Sequence, residues 1–145
     1  MRRLPTWMLL FALTAGPAVA KDETVDELKF RVQNALPQDR PGICVQIAQL
    51  QLRNADKLYT DGNVEQARAA LDEVVAYSEK ARDSARESRK RLKNVEIAVR
   101  RMAEKLKDIK RTLAFEDQPP VEHAIQHLEE VRTSLLKEMF KKEKK

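Results

Sequence analysis

The sequence predicts an all-α protein. The expected form is a helical bundle with antiparallel, coiled-coil-like packing, built on a long central helix with a helical hairpin at each end. Three observations predict it. After residue 20 the glycines and prolines fall in three clusters, Pro37, Pro41 and Gly42, then Gly62, then Pro119 and Pro120, and such residues punctuate helices. Between the clusters, apolar residues recur at steps of three and four. No stretch alternates in the manner of a half-buried strand.

The opening stretch "MRRLPTWMLLFALTAGPAVA" reads as a secretory leader over 1–20. It has Arg2 and Arg3, an apolar run from Trp7 to Leu13, and a small-residue site at Ala18-x-Ala20. The run is shorter than the ~20 residues needed to span a bilayer. No cysteine lies near the expected cut, and the rest of a twin-arginine pattern is missing. The general secretory route and a periplasmic or secreted product are therefore expected, with the mature chain starting at Lys21. Loss of the two leader arginines takes the net charge from +5 to +3. A single helical domain is expected over 21–140, followed by a basic tail over 141–145.

The first helix is expected from about Thr24 to Leu36, with Val25, Leu28, Val32 and Leu36 on one stripe. Its acidic start suits a helix N-terminus. The second starts at Pro41, a good first-turn residue. Ile43, Ile47, Leu50 and Leu58 make one of its faces, while Val45, Ala48, Leu52, Ala55 and Tyr59 spread round the rest. A helix apolar on most sides packs against two neighbours, here the first and third.

Gly62 ends the second helix, and Asn63 can cap the next, with Gln66 completing a capping box. From Asn63 to Gln118 there is no glycine or proline. The stripe Val64, Ala67, Leu71, Val74, Ser78, Ala81, Ala85, Ser88, Leu92, Val95, Val99, Met102, Leu106, Ile109 and Leu113 steps by three and four without a slip. That is the period of left-handed supercoiled packing. It predicts one helix of roughly 50 residues, about 75 Å long. Its middle offers only Ser78, Ala81, Ala85 and Ser88, so those turns are expected to bury little. The last helix is expected to start at Pro120, with Val121, Ala124, Ile125, Leu128, Val131, Leu135 and Met139 on its apolar face. The short "EDQPP" connection folds it back on the second half of the long helix.

Residues 51–76 resemble one tetratricopeptide (TPR) unit. Ala55, Leu58, Gly62, Ala67, Leu71 and Val74 match that family's small and apolar positions in order. A stack of such units forms a concave binding groove. This chain shows no second unit at the family's period, and the helix after the turn is expected to outrun the family's length. The resemblance thus implies a packed hairpin and no groove. The chain as a whole is similar to uncharacterised exported helical proteins of bacteria, which implies no activity.

Three features could carry function. The basic stretch 80–93 includes Arg82, Arg86, Arg89, Lys90, Arg91 and Lys93, against Asp83 and Glu87. It reads as a cationic collar for anionic partners such as lipid head groups, acidic polymers or acidic protein faces, or as a solvated face with one-turn pairs such as Glu87 and Arg91. His123 and His127 share the i, i+4 spacing of metal ligands, but they lack an intervening glutamate and a third ligand, so no metal site and no cofactor are expected. Cys44, the only cysteine, sits in "GICVQIAQL" and reads as a small buried hydrophobe. C-x-x-C, nucleophile-elbow, phosphate-loop and calcium-loop patterns are absent, which argues against an enzyme. Export and the lack of interleaved aromatics argue against nucleic acid.

The expectation is an exported, non-enzymatic interaction or scaffold protein of the bacterial envelope with a protein partner. The helix-three stripe could also serve a homo-oligomer. The alternatives are a binder of anionic envelope components through 80–93 and a periplasmic holdase chaperone, although repeated L-T-x-x-Q is missing.

Overall fold

A computed structural model of the chain describes residues 23–141. The leader expected over 1–20 and residues 142–145 of the basic tail lie outside them. Among the described residues every regular element is helical: α1 (Val25–Asn34), α2 (Arg40–Thr60), α3 (Val64–Ser88), α4 (Leu92–Thr112), a 3₁₀ turn (Phe115–Asp117) and α5 (Gln118–Phe140). None is long and apolar enough to cross a membrane.

Local sequence explains most of the helix ends. The Thr24 hydroxyl accepts a bond from the Glu27 N–H at 3.2 Å and starts α1. Prolines occupy the first turns of α2 and α5, where a missing N–H costs nothing. The C-terminus of α2 closes in a Schellman motif. Gly62 adopts φ 80°, the Asn63 N–H reaches the Leu58 carbonyl at 2.8 Å, and the Gly62 N–H reaches the Tyr59 carbonyl at 3.1 Å. The expected capping box is not formed, because the Asn63 side chain makes no cap bond.

The all-α bundle is as expected, but the long central helix is not. It breaks into α3 and α4 at Arg89, Lys90 and Arg91, and the chain reverses there. Arg91 lies beside Gly42 at the start of α2, and Lys105 of α4 pairs with Asp56 near the end of α2 at 3.2 Å. α4 therefore runs alongside α2 in the same direction. α5 returns antiparallel to α4, as expected, held by Lys110 to Glu122 and by Arg132 to Glu96 at 2.9 Å. It runs beside α3 in the same direction, with Arg86 of α3 facing Glu138 at 3.7 Å. The result is two antiparallel hairpins, α2–α3 and α4–α5, stacked as an up-down-up-down bundle. α1 lies against α2 and α3, with Leu28 on Ile43 and Ile47 and Lys29 bonded to Glu73 at 2.7 Å.

The break needs no glycine or proline. Arg89 at φ 56° and Arg91 at φ 65° take the left-handed conformation, at about 1–2 kcal/mol each. The reversal buries Val95, Val99, Met102, Leu106 and Ile109 in the core shared by α2 to α5. At roughly 1.5–3 kcal/mol per large side chain, that burial outweighs the turn. The heptad phase correctly marked the buried residues on both sides, but phase is silent about a three-residue reversal that preserves it.

The middle of the stripe is also corrected. Ser78, Ala81 and Ala85 have 0 % exposure, so their small size marks close approach of neighbouring helices and not a bare rod. The Ser78 hydroxyl satisfies itself by donating to the Val74 carbonyl at 2.7 Å. Leu36 was expected on the α1 stripe, yet α1 ends at Asn34 and Leu36 is exposed in the connection to α2.

Candidate functional site

One end of the bundle gathers two connections and a helix end, namely the α1–α2 loop, the α3–α4 turn and the C-terminus of α5. Arg91 shares a shallow depression with Phe30, Leu36 and Asp39. Lys90 and Lys93 flank a second depression with Pro37 and Asn94. Glu138 reaches this end from α5 and faces both Arg86 at 3.7 Å and Arg89 at 3.8 Å.

The predicted basic residues separate into three groups. Arg82 is half-buried, and its Nε bonds to the adjacent Asp83 carboxylate at 2.9 Å. It lies away from the turn and does not join the cluster. Arg86 and Arg89 divide one carboxylate, that of Glu138. Lys90, Arg91 and Lys93 are exposed and make no ion pair among the described residues. The collar expected around the middle of a rod is thus a basic cap on one end of a bundle. The reversal moves these charges from the side of a helix to a terminus.

Apolar groups accompany the charges. Of the four large exposed apolar side chains among the described residues, Phe30 (69 % exposed), Leu36 (60 %) and Phe140 (61 %) lie at this end, and Phe115 (83 %) lies at the other. None of the four was singled out from the sequence as a functional residue. Phe30 carried a readable signal, since an aromatic residue falls outside the α1 stripe of Val25, Leu28 and Val32. Leu36 carried none, because it continues that stripe in register. Nearby, Arg31 bonds to Glu23, which raises the guanidinium pKa.

The other candidates lie elsewhere. His123 and His127 are both exposed on α5. His127 Nδ1 stands 3.8 Å from Glu79 and from Glu130. No group of three or more histidine, cysteine, aspartate or glutamate side chains is placed to hold a metal ion among the described residues. Cys44 is buried in the core, 2 % exposed, and burial pushes its thiol pKa up. That environment suppresses the thiolate needed for reactivity.

The basic end can bind by charge and by apolar contact together. Lys90, Arg91 and Lys93, without an ion pair among the described residues, attract anionic groups over about a Debye length, ~8 Å at physiological salt. The adjacent Phe30 and Leu36 would gain by being covered. No protein-family model, curated protein or solved structure matches this chain, so the reading of this end rests on its own geometry.

Proposed function

We propose that this chain is an exported, non-enzymatic helical interaction module of the bacterial cell envelope. It engages an acidic protein face end-on, through Lys90, Arg91 and Lys93 with Phe30 and Leu36 beside them. The observation that carries this reading is the concentration of exposed cations and exposed apolar side chains at one end of a well-packed bundle. Interfaces of this type combine charge steering with an apolar anchor.

A second reading has the same cations bind an anionic envelope component, such as lipid head groups or acidic polymers. Phe140, exposed at the end of α5 on the same side, favours it, since exposed aromatics beside cations suit a head-group layer.

A photo-crosslinking side chain placed at exposed Asn94 tests both. In the native envelope it should label a discrete partner, while the same probe at Gln66, at the other end of the bundle, should not. Reversing Lys90, Arg91 and Lys93 to glutamate together should abolish that labelling while leaving the helical content unchanged. A labelled protein supports the first reading and labelled lipid or polymer the second. Equal labelling from both ends, or labelling indifferent to the charge reversal, would refute an end-on basic site.

A further inference from the structure

The residues that reverse the chain between α3 and α4 are Arg89, Lys90 and Arg91. Arginine and lysine are strong helix formers. Two of the three nevertheless adopt positive φ, 56° and 65°, where side chains other than glycine are strained. The buried positions on either side keep one register. Ser78, Ala81 and Ala85 on α3 connect through Ser88 and Leu92 to Val95, Val99 and Met102 on α4, always by three or four. A helix carried through the turn would place both buried faces on one stripe. At this one turn, local preference and tertiary packing oppose each other.

We infer that the turn is a hinge through which two copies of this chain exchange their α4–α5 hairpins. In the exchanged dimer the turn straightens, and α3 and α4 become one helix of roughly 75 Å. The α4–α5 hairpin of each copy then packs on α2–α3 of the other. The core shared by α2 to α5 is rebuilt between chains. The pairs Lys105 with Asp56 and Arg86 with Glu138 become intermolecular. The hinge differs, because its two left-handed arginines become helical. Short strained hinges between packed units are the general setting for domain swapping.

The geometry of the exchange also uses the exposed end. Both hinges lie at the junction of the two bundles, so Phe30, Leu36 and Phe140 of each copy approach those of the other. The Arg89, Lys90 and Arg91 of both copies meet there as well. Their repulsion opposes the dimer, and added salt screens it. The inference stands independently of the partner proposed above, because its occupant is a second copy.

The test pairs two full-length chains, one carrying Asp56→Cys and the other Lys105→Cys. They are mixed, unfolded, refolded together, and treated with a short bismaleimide only after refolding, when buried Cys44 is protected. These positions meet across α2 and α4, so a heterodimeric crosslink forms only if hairpins have been exchanged. The crosslinked fraction should rise steeply from ~10 µM to ~1 mM protein, as mass action requires, and should rise further with salt. Placing Arg89→Gly and Arg91→Gly together in both chains relieves the strain of the closed turn and should lower that fraction at least ~10-fold. If the double variant fails to refold, Arg91→Gly alone carries the same comparison. A chain that stays monomeric at every concentration overturns the inference. So does a dimer without the heterodimeric crosslink, or a crosslinked fraction unmoved by the glycine substitution.

Discussion

Ala85 distinguishes a packed crossing from a bare rod. It has 0 % exposure in α3, between the equally buried Ala81 and the turn that leads to α4. Ala85→Leu adds three carbon atoms where no exposed surface is left. Helix propensity barely changes, since leucine ranks close behind alanine, within about 0.2 kcal/mol. The cost is therefore steric, about 1–3 kcal/mol for extra methylenes forced into a filled core. For a domain of this size each kcal/mol at the midpoint moves the melting temperature by roughly 3–5 °C. Ala85→Leu should then melt roughly 5–10 °C below the parent, followed by circular dichroism. Ala69, exposed on the same helix, is the control, and Ala69→Leu should stay within about 0.5 kcal/mol. Were the middle of the helix bare, as its small residues alone suggest, Ala85→Leu would be as silent as the control. A melting temperature within about 1 °C of the parent, with an unchanged urea m-value, would refute the packed crossing.

Two further outcomes follow from carboxylates that are paired in the fold. Glu96 is 6 % exposed, and its carboxylate accepts a 2.9 Å bond from Arg132 Nε. Removing that partner leaves a buried charge uncompensated. Arg132→Ala should lower the melting temperature clearly, and adding Glu96→Gln to it should recover most of the loss, read from the same thermal scans. The Glu73 carboxyl is held below its usual range of 4.5, chiefly by the bond from Lys29, with Gln51 also donating. A depressed carboxylate contributes stability that is complete above its unfolded value and is lost as pH falls through the folded value. The parent should therefore lose stability on acidification below about pH 4.5. Glu73→Gln should be less stable at neutral pH and should show a shallower acid slope in urea titrations at stepped pH. An unchanged slope would mean that the α1 contact contributes nothing.

What the sequence determined by itself was whatever depends on near neighbours along the chain. The acidic start of the first helix and the prolines at 41 and 120 marked helix starts, because the helix dipole and missing N–H groups act within one turn. Gly62 marked a helix end, because only a residue free to adopt positive φ closes that motif cheaply. Steps of three and four named Ala67, Leu71, Val74, Val95, Val99, Met102, Leu106 and Ile109, all of which are buried, since the period of the helix decides which side chains share a face. The basic residues near 90 were equally legible as a run.

Tertiary structure decided what that run does and where the long helix stops. Arg89, Lys90 and Arg91 are helix formers with no breaker among them, so nothing local calls for a reversal. The chain turns there because α4 gains more by burying Val95, Val99, Met102, Leu106 and Ile109 in the shared core than two left-handed arginines cost. The same packing made the crossing at Ala81 and Ala85 tight, where their small size had suggested a nearly bare stretch. It brought Glu138 to Arg86 and Arg89, while Lys90, Arg91 and Lys93 stayed without an ion pair among the described residues. It also set Phe30 and Leu36 beside them. Those relations join residues far apart in the chain, and only the burial of distant apolar faces against one another brings them together.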